Sequence, residues 1–285
     1  MPTYQATGPI TATIHIVSGD LRIEADDRQD TVIDVAPSNP SHGPDVLAAE
    51  QLRVEFAEGV LRVTGAKGRG VGLLRKPGSV QLVVKVPQDS AIDAATGLGR
   101  VISTGRLGSC RIRTGAGDIQ MADTASLDAV TGIGAISAGH ATGDASIVTG
   151  SGAVRVGHVD GRTSVKNSNG DTWLGSAGSA VRVKSSNGSV AVERALGDVK
   201  VATANGNLRV DSAERGSVDL RTALGRIEVG VPEGTAARLD LHTSYGSVVS
   251  ELKATDQPRP DDAILTMSAH TSAGDILIRR APIAV

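Results

Sequence analysis

From residue 99 onward a glycine returns about every eighteenth position. It stands at Gly99, Gly117, Gly134, Gly152, Gly170, Gly188, Gly206, Gly225, Gly246 and Gly274, at spacings of 18, 17, 18, 18, 18, 18, 19, 21 and 28 residues. A fixed period of this length is the mark of a solenoid, in which each repeat buries its apolar face only against its neighbours. Other columns keep the same beat. Two residues after the glycine stand Val101, Ile119, Ile136, Val154, Thr172, Val190, Leu208, Ile227, Val248 and Ile276. Five before it stand Ile112, Ala129, Ile147, Val165, Val183, Val201, Leu220 and Leu241. Mostly polar residues alternate with these, and a period of two means strands with one buried face.

Each repeat therefore holds at least two short strands, with a corner at the glycine. A second glycine half a repeat on, as at Gly108, Gly143, Gly161, Gly197 and Gly234, marks another corner. Parallel pairing would stack successive coils about 4.8 Å apart, so about ten coils would run roughly 45–50 Å. The sequence thus predicts an all-β, parallel β-solenoid, right-handed because parallel crossovers nearly always are. Composition agrees. Glycine contributes 35 of 285 residues, and the only rings are one Trp, two Tyr and one Phe, so Val, Ile, Leu and Ala must fill a narrow core.

Residues 1–87 lack the beat but still alternate, as in "ITATIHIV" and "SVQLVVKVP", with "DVLAAEQ" (45–51) as a short helical turn. A solenoid end presents open strand edges that need covering. Residues 1–87 are accordingly expected to form a β-rich cap continuous with the repeats of 88–285. Two stretches break the pattern: the Gly-rich "GAKGRGVGLLRKPGS" (65–79), with Lys67, Arg69, Arg75 and Lys76, and "KATDQPRPDD" (253–262).

A net charge of −2 gives no global pull toward nucleic acid or an anionic membrane. The opening "MPTYQATGPITATIHIVSGD" has no basic n-region or apolar h-region, and no apolar run approaches the roughly 20 residues of a membrane helix. The single Cys110 excludes an internal disulfide and suits a reducing compartment. These features predict a cytoplasmic protein, with the cell surface as the alternative.

Catalytic chemistry has no constellation to rest on. Asp118, Asp171 and Asp275 share a column one after the glycine, but Asp118 and Asp171 lie three coils apart, about 14 Å, against the roughly 5–9.5 Å of a glycosidase pair. Asp144 and Asp198 are also three coils apart, with Arg162 between them. Calcium-binding β-rolls need an acidic residue in every repeat, which this column lacks. His140 and His158 fall one coil apart without a Cys or carboxylate to complete a metal set. Cys110 lies in an inward column and reads as an apolar filler. No enzyme, cofactor, metal site or small-molecule substrate is expected.

Surface features remain. Arg182 and Lys200 stand six before the glycine, and Lys166, Lys184 and Arg221 four before it, all pointing outward as a basic patch over about four coils. Asn169, Asn187 and Asn205 form a corner column whose amides can bond coil to coil, and threonines at 96, 114, 131, 149, 203, 222, 243 and 271 form another. Trp173 alternates outward, yet its neighbour Thr172 occupies an apolar column, so a local shift could turn the ring inward. The patch, the Asn corner and Trp173 are the candidate partner-binding residues. Nucleic acid is disfavoured because stacking rings are missing.

The set "TGAGDIQ", "TGSGAVRVG", "KNSNGDTW", "SSNGSVAV" and "TANGNLRV", with an opening strand "VSGDLRIEADD", resembles a bacterial family of β-strand-repeat proteins of unknown function labelled candidate adhesins. The resemblance spans nearly the whole chain and implies a β-solenoid; it brings no catalytic residues. The expected function is a non-enzymatic scaffold that binds protein partners or itself through its faces. The alternatives are a surface adhesin and, further off, a carbohydrate-active β-helix or a filament-forming cytoskeletal protein.

Overall fold

The computed structural model describes residues 2–65, 78–252 and 263–281. Lys67, Arg69, Arg75 and Lys76, and the stretch 253–262, lie outside the described residues. The chain forms two compact units, Met1–Thr142 and Gly143–Val285. Each is a stack of parallel strands, as the repeat predicts.

In the first unit the long strand Thr11–Asp26 is the spine. Its first half pairs in parallel with Val60–Thr64 and Ala91–Leu98, and its second half with Val80–Pro87 and Val101–Thr104. Gly19, at φ +145°, turns the strand between the halves. Arg106–Ala116 stacks on Ala91–Leu98, and Ile119–Ile133 stacks on both Val101–Thr104 and Arg106–Ala116. Among the described residues the antiparallel pairs fall in the first 87: Thr3–Gln5 with Asp30–Pro37, Asp30–Pro37 with Val80–Pro87, and Arg53–Ala57 with Val60–Thr64. There Tyr4 and Phe56 stack with ring centroids 5.1 Å apart. The helical turn read at 45–51 is the helix Gly43–Glu50, with Pro in its first turn. Asp45 anchors it, accepting from the Asn39 and Ser79 amides at 3.1 and 3.0 Å and lying 2.9 Å from His42 Nδ1. The Ser79 amide, followed by His42, holds the Asp45 carboxyl below its ordinary value.

The second unit has two parallel ladders joined at the glycine corner. One runs through Ala145–Ser151, Thr163–Asn169, Val181–Asn187, Val199–Asn205 and Gly216–Leu224. The other runs through Val154–Val159, Thr172–Ala177, Val190–Ala195, Leu208–Ala213 and Ile227–Val231. The inward columns are fully covered: Val183, Val192, Leu220, Ile227 and Val229 expose nothing.

The C-terminal coils do not stack in sequence order. Ala263–Ala273 and Ile276–Arg280 pair directly with Gly216–Leu224 and Ile227–Val231. The earlier strands Thr235–Tyr245 and Val248–Ser250 lie outside them as the terminal coil. A uniform stack in chain order would put them the other way round. The corner glycines record the same order. A Cβ on Gly274 would collide with the carbonyl oxygen of Gly225, and one on Gly246 with that of Gly274.

Candidate functional site

The basic patch lies on the outer face of the first ladder of the second unit. Along a strand such as Val181–Asn187, Val181 and Val183 point into the core and Arg182 and Lys184 point out. Strand pairing sets Lys166 beside Lys184, Arg182 beside Lys200, and Ala202 beside Arg221. The five predicted cations are therefore on one face, on four neighbouring strands, and all are exposed.

Their electrostatics divide them. Asp219, next to Lys200 in register, lies 3.1 Å from Lys200 Nζ and 2.9 Å from Arg221 Nε. Burial works to raise the Asp219 carboxyl, yet Lys200 and Arg221 together hold it below its ordinary value. Lys166, Arg182 and Lys184 have no ion-pair partner among the described residues. Beside them runs a shallow groove of about 490 Å³, lined by Arg162, Arg182, Lys200, Asp198 and Asp219 among others. Asp219 and the groove were missed in the sequence, although Asp219 follows Arg182 and Lys200 in the same column.

The Asn corner forms as expected. Asn187 Nδ2 donates to Asn169 Oδ1 at 2.9 Å, and Asn205 Nδ2 to Asn187 Oδ1 at 2.8 Å. Trp173 faces out: Thr172 and Leu174 on either side are buried, and its Cη2 lies over Gly175, 3.1 Å from where a Cβ there would sit. It is on the second ladder, in register with Arg155 and Ala191. The structure thus brings the five cations together, places the Asn ladder at their edge, and puts Trp173 around the corner on another face.

The acidic columns serve the backbone. Asp171 Oδ1 accepts from the Ser189 amide at 2.8 Å and Asp118 Oδ1 from the Ala135 amide at 2.8 Å. Asp275 takes the amide and hydroxyl of Ser247, and that amide foremost holds its carboxyl below the ordinary value. At the second corner Asp144 and Asp198 accept from the amides of Arg162 and Ser217. Each carboxylate fixes a turn of the neighbouring coil. Cys110 is 3% exposed, and burial pushes its thiol up to about 12, so it stays protonated at neutral pH. The expectation that no carboxylate completes a set with His140 and His158 is corrected: Asp160 lies 2.6 Å from His158, and the ligand atoms of His140, His158 and Asp160 all fall within 4.8 Å of one another, a group that could hold a metal ion.

A family profile, Toastrack DUF4097, matches residues 13–280. The chain belongs to this family. Its function as a domain is unknown. No curated protein matches this Toastrack chain. Three of the solved structures to which it is similar illustrate the range. One is a candidate cell adhesion protein from Clostridium sporogenes, at 7% identity over 98% of each chain, TM-score 0.29. One is a candidate adhesin from Bacteroides fragilis, at 14% identity over 97% of this chain and 95% of that one, TM-score 0.33. The third is a candidate lipid-binding protein from Parabacteroides distasonis, at 11% identity over 96% and 95%, TM-score 0.37. Such distant likeness carries no argument about what the Toastrack chain binds. No helix among the described residues is long and apolar enough to cross a membrane.

Proposed function

We infer that this Toastrack chain is a non-enzymatic interaction scaffold whose basic outer face binds an acidic protein surface. The observation that carries the reading is the trio Lys166, Arg182 and Lys184, exposed side by side on one sheet face without carboxylate partners among the described residues. Exposed cations left unpaired in one cluster create a local potential that steers an oppositely charged partner. The groove beside them favours a protein over a uniform polyanion. Asp198 and Asp219 sit among its cations, and a polymer of repeated negative charge would be repelled there, whereas a protein surface of mixed sign can answer each in turn. The described parts of residues 1–87 are read as its cap, because the antiparallel strands Thr3–Gln5, Asp30–Pro37 and Arg53–Ala57 pair at the edges of the parallel strands around Thr11–Asp26.

The test is binding of a soluble peptide of mixed sign, glutamates interleaved with lysine and in excess of it, as a probe for acidic protein surface, with inorganic polyphosphate as the comparator of uniform negative charge. Wild type should bind the mixed-sign peptide in a salt-sensitive way, and Lys166→Glu with Lys184→Glu should weaken binding at least about tenfold without altering the melting temperature, since both side chains are exposed. Equal binding by the double variant would refute the reading. Preference for polyphosphate would move the partner to a phosphate polymer.

A further inference from the structure

Among the described residues, the terminal coil of the second unit has a neighbour on one side only. Thr235–Tyr245 pairs only with Ala263–Ala273 among the described residues, and Val248–Ser250 only with Ile276–Arg280. Its inward columns are correspondingly open. Met267 and Leu265 are buried, at 1% and 0% exposure, but their register partners one coil out, Leu239 and Ala237, are only half-buried. Ile276 is covered, whereas Val248 above it is 46% exposed, and Tyr245 at the corner is 80% exposed. An eleven-residue strand whose outer edge pairs with nothing among the described residues, and whose apolar column is open, is a template for another strand.

The sequence of that strand identifies the occupant. Read about Leu239, "TAARLDLHT" (Thr235–Thr243) is close to self-complementary when paired with itself antiparallel. Leu239 meets Leu239 of the second copy, Ala237 meets Leu241, and Thr235 meets Thr243, all in the inward column. In the outward column Arg238 meets Asp240 of the second copy, twice by symmetry, and Ala236 meets His242. Opposite charges directly across a strand pair stabilise it and like charges oppose it. Moving the centre one residue, to Asp240, would put Asp240 against Asp240 and Arg238 against His242, so the charges select one register. Within the chain Arg238 has no ion-pair partner among the described residues, and Asp240 has only a 3.9 Å approach from His270 Nε2. Both are exposed.

We propose that this Toastrack chain forms a closed two-fold dimer by antiparallel pairing of the Thr235–Tyr245 edge with the same edge of a second copy, in the register that joins Arg238 to Asp240. One two-fold axis through the Leu239 pair makes the interface self-complementary and ends assembly at two chains. The dimer leaves the basic face free and does not depend on the function inferred for it.

Sedimentation and light scattering of wild type, Arg238→Asp, Asp240→Arg and the double exchange test the proposal. Wild type should be a dimer. Each single variant should weaken dimerisation roughly tenfold or more, because two attractive pairs become repulsive. The double exchange should restore it, since swapping the two side chains rebuilds both cross-strand pairs with their signs reversed. Melting temperatures measured on the dissociated chains should agree, showing that the fold is intact. A wild type that is monomeric at its highest soluble concentration, a dimer indifferent to the single variants, a double exchange that stays monomeric, or assembly beyond two chains would each overturn it.

Discussion

At the corner of each coil, Gly188 and its equivalents carry a demand that no other residue type meets. From Gly170 to Gly274 the corner φ values lie between +132° and +153°. A Cβ at any of them would run into the carbonyl oxygen of the corner glycine in the adjoining coil. Gly188→Ala should therefore cost at least about 1–3 kcal/mol of stability from backbone strain alone, read as a fall in the denaturation midpoint. Ser186→Ala next to it, at an exposed side chain, is the control and should change little. A Gly188→Ala variant as stable as the control would show that the corner tolerates a side chain. The threonine column satisfies the carbonyls that these glycines expose. Thr131, Thr222 and Thr271 donate to Gly117, Gly206 and Gly225 of the coil before, each at 3.1 Å. The column is interrupted at Asn167 and Ser185, and the two departures are linked. Asn167 Nδ2 bridges the carbonyls of Gly152 and Gly170 at 3.0 and 2.8 Å. It thereby takes the oxygen that position 185 would use, and Ser185 Oγ is left without a partner. The orientation of Trp173 was not legible for a related reason. Thr172 places a hydroxyl in an apolar column, and only the structure shows that it is buried there at 1% exposure without a hydrogen bond, so that Trp173 must face out.

At the scale of elements, alternation with a fixed period was sufficient to read the parallel ladders, because each inward position must be apolar in every coil for the stack to bury a core. The order of the last two coils was not legible. Both carry the same pattern, and the 28-residue spacing between Gly246 and Gly274 counts residues along the chain, not position in the stack. The insertion of Ile276–Arg280 between Ile227–Val231 and Val248–Ser250 is fastened by charge. Arg279 reaches Glu228 at 2.7 Å and Asp211 at 3.0 Å, and Asp211 also accepts from Arg209 at 2.6 Å. The bond from Arg279 holds the Glu228 carboxyl below its ordinary value of 4.5, against the opposing effect of burial. A carboxyl lowered by folding stabilises the fold above its unfolded value, and that contribution is lost as pH falls through the folded value. Stability should therefore drop as pH is lowered from about 5 toward 3, and Glu228→Gln should flatten that part of the curve. Solvent reaches the cluster, so Arg279→Met should cost only about 1 kcal/mol. A Glu228→Gln variant whose melting temperature tracks wild type throughout that acid range would remove Glu228 from the account.

For the molecule as a whole, the sequence displays the scaffold more readily than the partner. A repeat writes its fold into every coil, so columns can be compared; a binding face is a difference between coils and is seen only when neighbouring columns are laid side by side. The five cations were legible because they deviate together. Their partial neutralisation by Asp219 was overlooked because only cations were followed along the columns: Asp219 stands after Lys200 in its own column and two residues before Arg221 on the same strand. The central claim is that Lys166 and Lys184 are covered by a partner in the cell, and lysine-reactivity footprinting tests it most directly. A membrane-permeant acylating reagent is applied to intact native cells and, separately, to the purified protein, and modification is read by mass spectrometry. Lys85, 42% exposed beside Glu24 in the first unit, serves as the internal reference. Lys166 and Lys184 should lose reactivity in cells relative to Lys85. Equal relative reactivity of all three in cells and in the purified protein would contradict the account.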